Sequence, residues 1–208
     1  MPVSNLGKED KPEPFLLSEQ EFMDWLEPGI KADLIQGEIF MQSPVNLRHA
    51  RLINFLDHLL RSFLEEKPAG ELHRETFAVR LSARNVFLPD LCFFNREQLA
   101  RLVETHAPLA PALVVEALSP RTAERDLKIK FAVYEAHGVQ EYWILDPDHL
   151  VHRFFKRENE LLVEFAEHSP VIAAQTIPGF WVQRAWLDPA RLPAARDCLR
   201  EILASPNA

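Results

Sequence analysis

Long apolar runs, each broken by a single acid, set the pattern of this chain. Val86-Phe87-Leu88-Pro89-Asp90-Leu91-Cys92-Phe93-Phe94 holds Asp90 among hydrophobic neighbours, and Ala112-Leu113-Val114-Val115-Glu116-Ala117-Leu118 holds Glu116 near its middle. Continuous runs rich in β-branched and aromatic residues predict strands covered on both faces. A carboxylate inside such a strand loses its hydration, at a cost of several kcal/mol unless a partner compensates.

The remaining pattern alternates helices and strands. Ser18-Glu19-Gln20-Glu21 is a capping box that opens a short helix to about Glu27. Residues 32–42 read as a strand pair turning at Gln36-Gly37, with Glu38 just after the glycine. From Asn46 to about Glu66, Leu52, Ile53, Leu56, Leu59, Leu60, Phe63 and Leu64 recur at three- and four-residue spacing, which predicts the clearest amphipathic helix of the chain. Residues 71–81 read as one strand with a wet face, and a short helix is expected near Arg96–Val103. After the Glu116 strand, a helix capped by Thr122 runs to His137 and stops at Gly138. Strands follow at Gln140–Asp146, Leu150–Phe155, Leu161–Phe165 and Phe180–Gln183, then a helix over roughly Pro189–Leu203. The pattern predicts an α/β fold, a central mixed sheet flanked by helices, with additional C-terminal strands and a terminal helix. Residues 1–15 are expected as a disordered tail, 16–185 as the main domain and 186–208 as a helical extension.

Composition changes this picture little. With 208 residues, 47% hydrophobic, the chain can bury a core without metal or disulfide support. Cys92 and Cys198 are expected as reduced structural thiols. No apolar run approaches a membrane span and the N-terminus is no signal peptide, so no membrane association and a cytoplasmic location are expected. The net charge of −8 speaks against general adhesion to nucleic acid. That acidity is peripheral, however. Residues 1–27 carry two basic and seven acidic side chains and residues 135–170 three and eight, whereas residues 28–134 carry fourteen and thirteen.

Two acids on neighbouring strands suit a magnesium ion, which takes one or two carboxylates together with substrate phosphate and water. Such an ion polarises a phosphodiester oxygen and lowers the pKa of bound water, and a nearby lysine offsets charge growing in the transition state. The residues that suggest this chemistry also resemble a known family. Gly37-Glu38, Ser43-Pro44 with His49, Pro89-Asp90-Leu91 and Val114-Val115-Glu116-Ala117-Leu118-Ser119-Pro120 match it, followed by Thr122, Asp126, Lys130, Tyr134, Gly138-Val139 and Glu141-Tyr142-Trp143-Ile144-Leu145-Asp146. This text resembles the Uma family of restriction-endonuclease-like proteins, within the PD-(D/E)XK nuclease superfamily, over roughly residues 16–185.

The resemblance implies a restriction-endonuclease-like fold, a Mg2+-dependent (or Mn2+-dependent) endonuclease acting on DNA, and a homodimer. It implies Asp90 and Glu116 as metal ligands, with Lys130 and Glu38 completing the catalytic set. His49 and Arg48 would contact substrate phosphate, with Asp126 and Tyr134 supporting the site. One departure is plain: the superfamily's lysine stands two residues after the second acid, where this chain has Leu118. The resemblance moves that function to Lys130 on the following helix, from which a long side chain can reach back to the sheet; Lys128, about 200° around an α-helix from it, would face water.

Simpler readings stand beside these. Asp126 and Lys130 have the spacing of a surface ion pair, Asp90 after a proline could be a turn acid, and Glu38 a solvated strand residue. His49 could merely cap its helix, and Tyr134 and Trp143 could be core aromatics. His149 and His152 read as a chance pair, since no Cys-x-x-Cys pattern accompanies them. Two other functions remain open: a nuclease-like fold that binds or assembles without turnover, and a phosphoesterase acting on a small nucleotide.

Overall fold

A computed structural model describes residues 16–27, 29–42, 44–119 and 125–205, the Asp126 side chain excepted. Helix α1 (Glu19–Trp25) opens on the capping box at Ser18 and Glu21. Strands β1 (Ala32–Ile35) and β2 (Glu38–Met41) form a hairpin closed by Gln36 at φ 53° and Gly37 at φ 91°. Both turn residues therefore have positive φ, as a two-residue type I′ turn requires. Helix α2 (Leu47–Glu66) follows, with the Asn46 side chain accepting from the His49 N–H.

The apolar segment 86–94 is not one strand. Strand β5 (Asn85–Phe87) belongs to one sheet and β6 (Leu91–Asn95) to another, so Leu88-Pro89-Asp90 is the crossing between them. Residues 71–81 divide in the same way. Strand β3 (Gly70–Arg74) pairs antiparallel with β6, while β4 (Ala78–Ser82) pairs with β5, and Phe77 N–H closes a turn on the Arg74 carbonyl. Period-two patterning cannot reveal this switch, because a strand that changes sheets keeps its alternation. A Cβ on Gly70 would collide with the Phe94 carbonyl, which explains a glycine where β3 begins.

Further on come the short helix α3 (Arg96–Leu99), strand β7 (His106–Ala107) and strand β8 (Leu113–Ala117). Thr122 lies outside the described residues. Arg125–Lys130 is a π-helical segment that continues into α4 (Phe131–Ala136), in place of the uninterrupted α-helix expected there. Strands β9 (Glu141–Leu145), β10 (Arg153–Glu158) and β11 (Leu161–Phe165) then form a meander. β10 starts three residues later than its pattern suggests, since Leu150 sits in a turn at φ 60°. A ribbon of β12 (Val171–Ala173) and β13 (Trp181–Gln183), a 3-10 turn at Arg184–Leu187 and helix α5 (Ala195–Ala204) complete the chain.

Two sheets result. One has the order β2-β1-β5-β4-β7 and the other β11-β10-β9-β8-β6-β3. Every residue of β8 and β9 is buried, as their continuous apolar pattern predicts. One face of the six-stranded sheet (Phe93, Val115, Trp143) packs on Leu56, Leu59 and Phe63 of α2 and Ile202 of α5. The opposite face, through Val114, Tyr142 and Ile144, packs on Val133 and Tyr134 of α4. The architecture is the expected mixed α/β one, with the C-terminal strands and helix present. Cys92 and Cys198 are free and buried.

Candidate active site

The site forms where the two sheets and α4 meet. β6 and β8 are antiparallel with Leu91 opposite Val115, and continuing that register by one step sets Asp90 opposite Glu116. The Ala117 N–H donates to Asp90 Oδ2 at 2.7 Å, so the crossing segment is fastened to the end of β8. Asp90 Oδ1 lies 3.2 Å from His49 Nε2 in the first turn of α2. Glu116 points to the face that carries α4. Its Oε1 accepts from Lys130 Nζ and from Tyr134 Oη, each at 2.9 Å.

A further acid, outside the residues that the family resemblance singles out, occupies the centre of this cluster. Asp33, on β1, is fully buried. Its Oδ1 accepts from Leu88 N–H at 2.9 Å and from Gln42 Nε2 at 3.2 Å, which pins the crossing that presents Asp90. Its Oδ2 meets the Lys130 ammonium at 3.0 Å and the Arg125 guanidinium at 4.0 Å. Lys130 is thus a shared counter-ion between Asp33 and Glu116, with Phe87 beneath its ammonium at 5.5 Å. An ammonium between two carboxylates offsets charge that neither acid could carry alone in an apolar interior. The signal for Asp33 was present: Ala-Asp-Leu-Ile is an acid in an apolar strand, the same feature that marks Glu116.

The other expected site residues separate. Glu38 is exposed on β2, the edge strand of its sheet, and is not brought into the cluster. Its position after the turn points to a site role, but β2 is the edge strand, whereas β1 pairs with β5, from which the crossing to β6 departs. Arg48 turns away toward the loop after β9, donating from Nε to the Pro147 carbonyl at 2.8 Å and pairing with Asp148 at 3.4 Å. Lys128 is exposed. Leu118 packs in the apolar cluster around Tyr134, so the ammonium at this site comes from the helix side.

Burial pushes the Tyr134 phenol well above its ordinary pKa, and the Glu116 charge adds to that, so it acts as a hydrogen-bond donor. Burial likewise raises the Cys92 thiol, with Glu116 again contributing, which makes it unreactive. Asp90 and His49 border a cleft of about 700 Å³. Glu116 and Lys130 lie deeper, their side chains 6% and 3% exposed, against 15% for Asp90.

The donor chemistry fits one hard divalent cation. Asp90 and Glu116 are opposed carboxylates beside a cleft, and Mg2+ binds through one or two such groups, taking its remaining oxygens from water and substrate. Among the described residues no set of three or more His, Cys, Asp or Glu side chains gathers as a metal cage.

A family model described as Uma2, putative restriction endonuclease, matches residues 19–189. The chain belongs to this family. A crystal structure of a putative nuclease belonging to DUF820 from Anabaena variabilis ATCC 29413 has the same fold, with a TM-score of 0.64 at 15% identity. The likeness covers 89% of this chain and 99% of that one. No curated protein matches the sequence. Membership of the Uma2 family supports a nuclease-like function and agrees with the family resemblance of the sequence. Among the described residues no helix is long and apolar enough to cross a membrane.

Proposed function

We propose that this Uma2-family chain is a Mg2+- or Mn2+-dependent hydrolase of phosphodiester bonds in DNA, of the PD-(D/E)XK type. The observation that carries this reading is the opposition of Asp90 and Glu116 across β6 and β8, with Lys130 Nζ 2.9 Å from Glu116. Asp90 and Glu116 would hold the cation, which supplies Lewis-acid polarisation of a phosphate and a water of lowered pKa. Lys130 contributes positive charge where the attacked phosphate becomes more negative. Asp33 holds that ammonium from its other side, and Tyr134 donates a hydrogen bond to Glu116. His49, capped by Asn46 at the start of α2, faces the cleft beside Asp90. There the N-terminal end of a twenty-residue helix would favour a phosphate oxygen.

The test is cleavage of plasmid and oligonucleotide DNA by the purified full chain in Mg2+ or Mn2+. Hydrolysis should fall at least 100-fold in Asp90→Ala, Glu116→Gln and Lys130→Met. Activity surviving in Asp90→Ala or Glu116→Gln would remove the mechanism.

One observation favours the non-catalytic reading: Glu116 is already satisfied by Lys130 and Tyr134, and Asp90 by Ala117 N–H and His49. Thermal unfolding with Mn2+ separates the two. A binding site raises the melting temperature in the wild type but not in Asp90→Ala, whereas a site closed by its own ion pairs shows no shift in either.

A further inference from the structure

The six-stranded sheet ends on β3, and among the described residues no strand pairs with the outer side of that edge. The Phe93 carbonyl is taken by the Ala112 N–H on the β8 side, so the backbone groups of Cys92 and Phe94 turn to His73 and Glu71 of β3. Those of Leu72 therefore point out of the sheet, as does the Arg74 carbonyl, which the Phe77 N–H takes. At the opposite edge, by contrast, the Leu162 N–H of β11 is covered by the Glu135 carboxylate at 2.8 Å. An uncovered edge is a template for another strand. A groove of about 590 Å³ runs along it, walled by Arg61, Leu64 and Glu65 of α2. Its charges are polarised. α2 runs to Glu66 and β3 returns from Gly70, so Glu65 and Glu71 share one end of the groove and Arg61, His73 and Arg74 the other. Both glutamates are exposed. At the basic end Lys31, Arg61 and Arg74 pair with two carboxylates, Asp57 and Glu75, among the described residues, which leaves one positive charge over.

We infer that this edge is an interface between two copies of the chain, which join their six-stranded sheets through β3. An antiparallel, two-fold pairing centred on Leu72 sets Leu72 against Leu72, Glu71 against His73 and Gly70 against Arg74. It also turns the Arg61 end of one groove to the Glu65 end of the other, so both ends are matched at once. Arg74 lines the cleft at Asp90 as well, which puts the two clefts at opposite ends of the joined strands. The inference does not depend on the hydrolase reading. Sedimentation velocity of the full chain over a wide range of concentration should show a monomer–dimer equilibrium that weakens with salt. Glu65→Lys/Glu71→Lys should weaken it by about tenfold or more, and so should Arg61→Glu, with thermal melts confirming that each variant is folded. Mixing these two variants should restore a dimer, because the mixed pair again sets acid against base. In the wild type, amide hydrogen exchange at residues 70–74 should slow as the dimer fills, with no change at β11. A wild type that stays monomeric, a dimer that both variants leave intact, or exchange at 70–74 that ignores concentration overturns the inference.

Discussion

Strands β8 and β9 run parallel, and each end of the pair buries a glutamate. Glu116 stands at the C-terminal end of β8, on the face covered by α4. Glu141 begins β9, three pairs away, on the face covered by α2 and the C-terminal segment. Among the described residues Glu141 is met by neutral donors: Trp143 Nε1 at 2.7 Å on one oxygen, and Gln175 N–H, Thr176 N–H and Thr176 Oγ1 at 2.8–2.9 Å on the other. Burial raises its pKa, and these hydrogen bonds pull against that rise. Glu116 instead shares an ammonium with a second acid, beside a carboxylate that opens on a cleft. Equal burial therefore does not imply equal purpose. A carboxylate enclosed by neutral donors is a structural tie, while Glu116 is balanced by a charged partner that it shares with a second acid. Glu116 also sits at the carboxyl end of its strand, where open α/β sheets bind ligands.

The comparison breaks most visibly at Lys130. Lys130→Met leaves Asp33 and Glu116 buried without their shared cation and should cost about 3–5 kcal/mol in urea unfolding. Adding Glu116→Gln should return part of that loss, a non-additivity that marks the coupled pair. A loss under about 1 kcal/mol for the single variant would show that the ion pairs contribute little.

Glu141→Ala strands the Trp143, Gln175 and Thr176 donors and should cost about 3–4 kcal/mol. Hydrolysis per folded molecule should stay unchanged, because nothing at that end touches the cleft. A selective loss of turnover at full stability would merge the two regions into one.

Protonation offers a subtler probe of the structural half. His152 accepts the Asp146 N–H on Nδ1 at 3.1 Å, and burial, with the Arg184 charge adding, lowers its pKa to about 4. The unfolded chain, with an ordinary histidine near 6.5, then binds more protons than the folded one between pH 6.5 and 4. Stability therefore falls as pH drops through that window, by no more than about 3 kcal/mol. Glu141 acts in the opposite sense, because a raised folded pKa makes stability fall as pH rises. The measurement is consequently the difference between wild type and His152→Gln across pH 4–7, which should shrink toward acid.

The smallest effect is expected at Glu38. Exposed on an edge strand, its replacement by alanine should change stability by less than about 0.5 kcal/mol and leave hydrolysis intact. A large loss of activity there would bring β2 into the site after all.

Much of the fold was legible because its causes are local. The capping box at Ser18, the Gln36-Gly37 turn, the three- and four-residue repeat of α2 and the unbroken apolar runs of β8 and β9 each depend on neighbours within a few residues. The apolar runs and the family resemblance single out Glu116, Lys130 and Tyr134, and the structure brings these three into one hydrogen-bonded group. What tertiary structure alone decided was which acids share a cation. The strand that carries Asp33 and the one that carries Glu38 are joined by two residues and have similar patterns, yet only β1 faces the crossing at Leu88. That crossing, where one apparent strand becomes two, is equally silent in the sequence. Alternation fixes which face a side chain takes but not which sheet lies opposite, and an ion pair between strands far apart in the chain depends on the second.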